Sequence, residues 1–336
     1  MGQFIGEATG YRHRVRLAVR GRVRSPKVGI FAAGTHQIVD IPHCNIHHPL
    51  INQVASALKQ SMARVHAPPY SDTAGAGLVR YLQVVVEPRS QTAQVTVVAN
   101  SESIDPVVPL LTSLHESLGD RAHSVWFNGN TARTNAILGP MWQRWAGAEY
   151  VEDYVGDTRV FYPPGAFGQS HPALARRLVS AVHAEVPAAG RVVELYCGVG
   201  AIGLGLADRS RDLILNELGP DALRGLAAGI DALPKDRRSR VSIVAGDAET
   251  AARHLREDDV VIVDPPRRGL THAVLEGLLA TPIRRLVYVS CDVGSFERDA
   301  RSLLGSSRFS LVRLDAFEFF PFTTHVETFA VFDRRS

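Results

Sequence analysis

Residues 193–203 read Val193-Glu194-Leu195-Tyr196-Cys197-Gly198-Val199-Gly200-Ala201-Ile202-Gly203, an apolar run that breaks into closely spaced glycines. A strand ending this way lets the backbone turn tightly and approach a ligand closely. Gly198, Gly200 and Gly203 fit the spacing G-x-G-x-x-G, and Glu217 follows Gly198 by 19 residues, where an acid closing the next strand binds ribose hydroxyls. A nicotinamide dinucleotide and S-adenosylmethionine both present an adenosine ribose, so these two strands do not choose between them.

Outward from this turn, the second half alternates regularly. The patterning predicts a helix over 171–185, a strand over 191–196, a helix after the glycine turn, strand 212–217, helix 220–232, strand 241–245, helix 248–256 and strand 259–263. Helix 272–280, strand 285–290, helix 294–304 and strands 309–315 and 325–332 follow. Repeated βα units imply an α/β domain with a mostly parallel sheet covered on both faces, whose ligands sit beyond the carboxyl ends of the strands. The first half reads as a smaller α+β domain, with helices over 48–65 and 106–118 and a hairpin formed by 78–87 and 94–100. The boundary is placed where Gly156-Asp157 and Pro163-Pro164-Gly165 interrupt the pattern, giving domains 1–157 and 158–336.

A length of 336 residues suits two domains, and 45% hydrophobic against 21% charged residues excludes global disorder. No run reaches 18 apolar residues, the opening Met-Gly-Gln-Phe-Ile-Gly is no secretory leader, and Gly6 stands where a myristoylation site wants Ser or Thr. Three cysteines cannot build a disulfide framework, so a cytoplasmic protein with reduced thiols is expected, and a monomer. Only three cations are lysines (Lys27, Lys59, Lys235); the other 34 are arginines, whose planar forks suit phosphate. The positive excess lies early: residues 1–150 carry +5 and residues 151–336 carry −2. In Tyr11–Arg20 the period of two puts Arg12, Arg14, Arg16 and Arg20 on one strand face and Tyr11, Val15, Leu17 and Val19 on the other. That cationic face is either an ordinary solvated surface or a grip on a phosphate backbone. His43-Cys44-Asn45-Ile46-His47-His48 lacks a second ligand pair at zinc spacing, so no metal is expected there.

Two further strand ends carry chemistry. One reads Val263-Asp264-Pro265-Pro266-Arg267-Arg268-Gly269, the next Val289-Ser290-Cys291-Asp292. A cysteine at such an end is a nucleophile if cations or a helix N-terminus favour its thiolate, and otherwise an inert buried thiol.

Asp264-Pro265-Pro266-Arg267-x-Gly269, Val289-Ser290-Cys291 and Phe320-Pro321-x-Thr323-x-His325-Val326-Glu327 stand in the order found in the RNA (uracil-C5)-methyltransferase family, which this chain resembles. The similarity also takes in Phe167-x-Gln169, the Tyr196-Cys197-Gly198-Val199-Gly200 turn and Glu217, and so covers the whole second half. It reaches more weakly into Gly10-Tyr11-Arg12 and Ile41-Pro42-His43-Cys44, which look closest to the branch acting on 23S ribosomal RNA; tRNA is the alternative.

The resemblance implies a Rossmann-like class I methyltransferase domain with a seven-stranded sheet and S-adenosylmethionine as cofactor. It implies Cys291 as the nucleophile that adds to C6 of uracil, and Glu327 as the base that removes the C5 proton. It places Gln169, Tyr196, Gly198, Gly200, Glu217 and Asp264 at the cofactor. Asp247, after the third strand, is assigned to the adenine from topology. The substrate-facing cations are Arg12, Arg14, Arg16 and Arg267. The target uracil must leave its stack. Phe317, Phe319, Phe320 and Phe322 offer either stacking surface or, the reading favoured here, core.

Many members have Asn and then Pro after the cysteine, where this chain has Asp292 and Val293, and an Asn where it has His171. The chain opens too late for the RNA-binding barrel of some members and has too few cysteines for their iron–sulfur cluster. A nicotinamide oxidoreductase, which would leave Cys291 and Glu327 without a role, and a non-catalytic RNA-binding relative are the competing classes.

Overall fold

The first strand, β1 (Gly2–Ile5), pairs in parallel with residues 309–318, close to the other end of the chain, with Phe4 opposite Phe317. The computed structural model, which describes residues 2–188 and 190–335, divides into two units. One holds the residues up to Glu7 and those from Asp153 onward; the other is Ala8–Glu152.

The Ala8–Glu152 unit is a seven-stranded sheet backed by two helices. Its elements are β2 (Arg14–Arg22), β3 (Ser25–Phe31), β4 (Ile38–Asp40), α1 (Pro49–Arg64), β5 (Val79–Val86), β6 (Ala93–Ala99), α2 (Val108–Leu118), β7 (Ala122–Gly129) and β8 (Met141–Gly147). Strand order is β4-β3-β2-β5-β6-β7-β8. All neighbours are antiparallel except β6 and β7, whose parallel pairing needs the crossover that α2 supplies. The alternation read in β2 holds: Val15, Leu17 and Val19 are buried in one core with Leu50, Ile51, Val54 and Leu58 of α1 and Leu110, Leu111 and Leu114 of α2.

In the other unit the chain runs β9 (Val151–Val155), β10 (Thr158–Tyr162), α3 (Pro172–Glu185), β11 (Arg191–Leu195), β12 (Asp212–Glu217), α4 (Pro220–Asp231), α5 (Lys235–Arg238), β13 (Val241–Ala245), α6 (Ala248–Ala252), β14 (Val260–Val263), α7 (His272–Ala280), β15 (Arg285–Ser290), α8 (Val293–Gly305), β16 (Phe309–Glu318) and β17 (Glu327–Arg334). The sheet order is β1-β16-β17-β15-β14-β11-β12-β13, parallel except for β17, which runs antiparallel between β15 and β16. Alternate residues feed two separate cores. Val192, Ile262 and Val287 lie in one, Val193, Val261 and Leu286 in the other, as a sheet covered on both faces requires.

Three expectations need correction. The boundary at 157/158 falls too late, and the first residues belong with the second half. Gly156-Asp157, which looked like a linker, is the two-residue turn of the β9–β10 hairpin, with Gly156 at φ 60°. Composition cannot reveal that Phe4 stacks on Phe317 at 4.4 Å and so ties β1 to the distant sheet, which gains an eighth strand. The helix expected after the glycine turn is only a 3-10 turn, Gly203–Leu206, because two of its four residues are glycines pressed against Glu194 and His183.

Phe4→Ala is expected to cost about 2 kcal/mol, at the low end for removing a large apolar side chain because Phe4 is only half-buried. Faster amide exchange across Phe309–Glu318 reads the loss; unchanged exchange there would place residues 2–5 outside the sheet.

Candidate active site

The β11 strand delivers the chain into a turn where Tyr196, Gly198 and Gly200 all have positive φ, at 63°, 58° and 82°. A β-carbon on Gly200 would lie 2.7 Å from Leu204 and Leu226 side-chain atoms, and one on Gly203 would lie 2.1 Å from Glu194 Oε2, so the turn closes only with glycine there. Tyr196 is a bulky residue held in the left-handed region, at a cost on the order of 1–3 kcal/mol that is characteristic of functional turns. Burial pushes its phenol up to about 12, so the ring faces the turn neutral.

Glu217 closes β12 with both carboxylate oxygens oriented by backbone. Oε2 accepts from Gly198 N at 2.9 Å, and Oε1 accepts from Leu218 N at 2.8 Å and Gly219 N at 2.6 Å. A carboxylate fixed in this way keeps lone pairs for ribose hydroxyls. Leu218 beside it is 68% exposed, an apolar surface next to Glu217 that sequence reading missed. Asp247 is the N-cap of α6, its Oδ1 accepting from Thr250 N at 2.7 Å, and that bond holds its carboxyl below the usual range.

At the reacting end, three strands converge. Asp264 follows β14, Cys291 follows β15, and Glu327 opens β17. Ser290 is opposite Thr328 in the antiparallel β15–β17 ladder. Continuing that register by one residue sets Cys291 opposite Glu327, on the same side of the sheet, so two residues 36 apart in sequence become neighbours. Gln169 Nε2 donates to Glu327 at 3.1 and 3.3 Å, fixing the carboxylate. Glu327 is 4% exposed; burial lifts its carboxyl to about 7, with the Gln169 bond acting in the opposite sense. Burial also raises Asp264 well above the carboxylate range, and the Glu327 charge adds to it. The half-buried Cys291 thiol is raised by burial, then by Glu327 and Asp264, while the Arg267 guanidinium draws it down.

Glu194 is a second feature that sequence reading left without a role, although an acid inside an apolar strand was the available signal. It is 1% exposed and its Oε2 has no hydrogen-bond partner among the described residues. Burial pushes its carboxyl far up, the Asp264 and Glu217 charges add to this, and a backbone bond from Gly203 acts in the opposite sense. An orphaned carboxyl oxygen and clustered acids at the mouth of an adenosine-type turn fit a cofactor bearing a cation near its sugar, as S-adenosylmethionine does.

Two of the three departures from the family pattern, Asp292 and His171, are helix caps, and the third, Val293, is the first residue of α8. Asp292 Oδ1 accepts from Ser295 N at 2.8 Å at the start of α8, a bond that holds its carboxyl below the usual range. His171 Nδ1 accepts from Leu174 N at 3.4 Å at the start of α3. Cys197 is buried, and burial raises its thiol far from reactivity. Phe317 and Phe319 are core residues, Phe320 is packed against the core, and Phe322 is 84% exposed. Among the described residues no group of His, Cys, Asp and Glu converges as a metal site.

Arg267 is exposed beside the cysteine strand end. In the Ala8–Glu152 unit, Arg16 is exposed with Nε donating to Gln83 Oε1 at 2.8 Å, Arg14 is half-buried, and half-buried Arg12 donates to the Arg14 carbonyl at 3.2 Å. Arg20, placed on the same face, is instead 6% exposed, paired with Asp72 at 2.7 Å and surrounded by the rings of Phe31, Tyr70 and Tyr81.

Glu217→Ala is expected to weaken S-adenosylmethionine binding at least tenfold in titration calorimetry, because it removes the ribose acceptor and the anchor of Gly198 together. Unchanged affinity would remove Glu217 from the cofactor site.

Residues 146–335 match the family model described as tRNA (Uracil-5-)-methyltransferase. An uncharacterized RNA methyltransferase of Protochlamydia amoebophila is 32% identical over 98% of this chain and 87% of its own length. Another from Geobacter sulfurreducens is 32% identical over 96% of this chain and 65% of its own length. The fold is similar to the Pyrococcus abyssi tRNA (uracil-54, C5)-methyltransferase solved with S-adenosyl-L-homocysteine, with a TM-score of 0.81 at 21% identity, over 98% of this chain and 78% of that one. Among the described residues no helix is long and apolar enough to cross a membrane. The chain belongs to the tRNA (uracil-5-)-methyltransferase family and is an RNA methyltransferase.

Proposed function

We propose that the chain methylates C5 of a uracil in RNA, with Cys291 as nucleophile and Glu327 as base. The observation that supports this reading is the β15–β17 ladder ending at Ser290–Thr328, one residue short of Cys291 and of Glu327, with the Glu327 charge felt at the Cys291 thiol and Gln169 bonded to the carboxylate. C5 of uracil is too weakly nucleophilic to accept a methyl group directly. Addition of the Cys291 Sγ to C6 breaks the C5–C6 double bond and moves its electron pair onto C5 and O4, a covalent route around one high barrier. S-adenosylmethionine, when bound, would supply an electrophilic methyl group to the C5 electron pair, the pair of the broken S–CH3 bond staying on its sulfur. Glu327 then takes the C5 proton, the electron pair re-forms the C5–C6 bond, and the Cys291 thiolate leaves.

Arg267 lowers the cost of the thiolate, while Glu217, Tyr196 and the glycine turn hold the adenosine end. Asp264 and Gln169 are assigned to the cofactor beside Glu327, and Glu194 lies against the glycine turn. Asp247 at the end of the adjacent strand is assigned to the adenine, with Leu218 as its apolar neighbour. A uracil reaching this pocket has left its stack, and Arg12, Arg14 and Arg16 are assigned to the phosphate backbone of the RNA. The first-half motifs favour 23S ribosomal RNA as the target. The family description and the archaeal structural relative favour tRNA, and mass spectrometry of both RNAs from cells lacking the gene decides between them.

Cys291→Ala is expected to abolish methyl transfer while S-adenosylmethionine still binds; transfer at the parental rate would exclude this chemistry. Glu327→Gln is expected to slow turnover by about 10²–10⁴-fold and to accumulate a protein–RNA adduct that survives denaturation. Both groups act deprotonated, so turnover should fall as the pH drops, first through loss of the raised Cys291 thiolate and more steeply below about 7, where the raised Glu327 carboxyl takes up its proton. A profile below pH 7 that is no steeper in the parental chain than in Glu327→Gln would remove Glu327 from the base role.

A further inference from the structure

The loop that carries Asp264 and Arg267 is tied to the helix that follows Cys291 by two adjacent side chains. Pro266 O accepts from Gly269 N at 2.8 Å, so Arg267 and Arg268 form the corner of a tight turn. Asp299 of α8 is 2% exposed, and its Oδ2 accepts from Leu270 N at 2.8 Å and from the Tyr288 hydroxyl at 2.7 Å. Its Oδ1 accepts from Arg298 Nε at 2.9 Å and Nη2 at 2.7 Å. Arg298 Nη2 also donates to the Arg268 carbonyl at 2.8 Å and the Leu270 carbonyl at 3.4 Å. Gly269, at φ 75°, is where loop and helix meet: a β-carbon there would lie 2.5 Å from Asp299 Oδ2 and 2.6 Å from Arg298 Nη2.

We propose that Arg298 and Asp299 form a clasp that positions Arg267 at the Cys291 nucleophile. They act as positioning residues, since neither is placed at the reacting atoms. The clasp joins three segments: the turn after β14, β15 near its end through Tyr288, and the middle of α8. Tyr288 precedes Cys291 by three residues and α8 begins two residues after it, so the cysteine lies inside the tied segment. Arg267 itself is exposed on a turn corner, where its charge also acts on Asp292, and a long side chain on a loose turn would sample many positions. Fixing both ends of its turn is what keeps its charge near the thiol. The proposal rests on Cys291 being the nucleophile, which the transfer assay of Cys291→Ala tests separately.

The test is the pH dependence of iodoacetamide alkylation at Cys291 in the full chain, followed on the Cys291 peptide by mass spectrometry so that Cys44 does not interfere. Arg267→Ala should raise the alkylation midpoint by about 0.5–1 pH unit, since a nearby cation favours the thiolate. Arg298→Ala should raise it in the same direction, and Arg267→Ala/Arg298→Ala should add nothing to Arg267→Ala alone. Arg301→Ala, which removes an exposed pair with Glu297 on the same helix, should leave the midpoint unchanged. If Arg298→Ala fails to fold, Asp299→Asn serves in its place, because it keeps the shape and an acceptor for Leu270 and Tyr288 but loses the ionic hold on Arg298. A midpoint unmoved by Arg298→Ala or Asp299→Asn, or a shift that persists without Arg267, would overturn the clasp. A midpoint unmoved by Arg267→Ala would overturn the Arg267 assignment and the clasp together.

Discussion

The antiparallel entry of β17 between β15 and β16 is the constraint on which the site depends. In a sheet that is otherwise parallel, every strand presents its carboxyl end to the ligand side. A strand running the other way presents its amino end there, so Glu327 at the first position of β17 meets Cys291 just past the last position of β15. The ladder ends at the Ser290–Thr328 pair, next to both residues, and because side chains alternate across a strand, a slip of one residue would turn Glu327 to the opposite face. Phe329 and Val331 on the same strand are fully buried in one core and Ala330 and Phe332 in the other, so such a slip would also exchange the two cores. Core packing thereby sets the register that the chemistry uses.

Around that pair the sheet gathers more acid than a dry site tolerates in ionised form. Glu194, Asp264 and Glu327 are all pushed upward by burial, and among the described residues the side-chain donor to Glu327 is Gln169. Replacing these groups with apolar ones would stabilise a fold with no chemistry to perform, because unpaired buried carboxyls cost several kcal/mol when forced to ionise. Their retention makes sense if a cation enters among them. Glu217 follows the opposite course: three backbone donors hold it, and it needs no partner from the ligand to stay in place. One end of the cleft is thus prepared in advance by hydrogen bonds, and the other is left electrostatically incomplete.

Much of this was legible in the sequence because it is carried by short-range patterning. The apolar runs of β11, β12, β14 and β15, the spacing of Gly198, Gly200 and Gly203, and the acid at Glu217 are local signals, and each fell at a strand end. What escaped was set by distant contacts. The pairing of β1 with β16 depends on Phe4 meeting Phe317, and the burial of Arg20 depends on Asp72 and three aromatic rings. Neither is encoded in a periodicity. The Gly203–Leu206 segment looked helical by alternation alone, and the close approach of Glu194 that shortens it is a tertiary fact. The juxtaposition of Cys291 and Glu327 was legible only through a family resemblance, since no spacing rule relates residues brought together by strand insertion.

Strand-to-helix junctions crowd this end of the sheet, and each helix start exposes backbone N–H groups that must find an acceptor. Asp247, Thr271, Asp292 and His171 each supply one, so four polar side chains at the ligand end have an immediate structural task. That task explains why Asp292 and His171 can differ from the residues common in relatives: any side chain with a suitably placed acceptor caps the helix. It also gives a physical basis for sorting polar residues near the cleft. A carboxylate whose bonds all run to its own helix start, as in Asp292, is accounted for by the fold. One held away from its local backbone, as Glu327 is by Gln169 from an element 158 residues distant, or left without a partner, as Glu194 Oε2 is, has been placed at a cost that local structure does not repay. The clasp of Arg298 and Asp299 falls between these cases. Its bonds run to a neighbouring loop across 28 to 30 residues, and their effect is to hold that loop, with Arg267 on it, beside the cysteine.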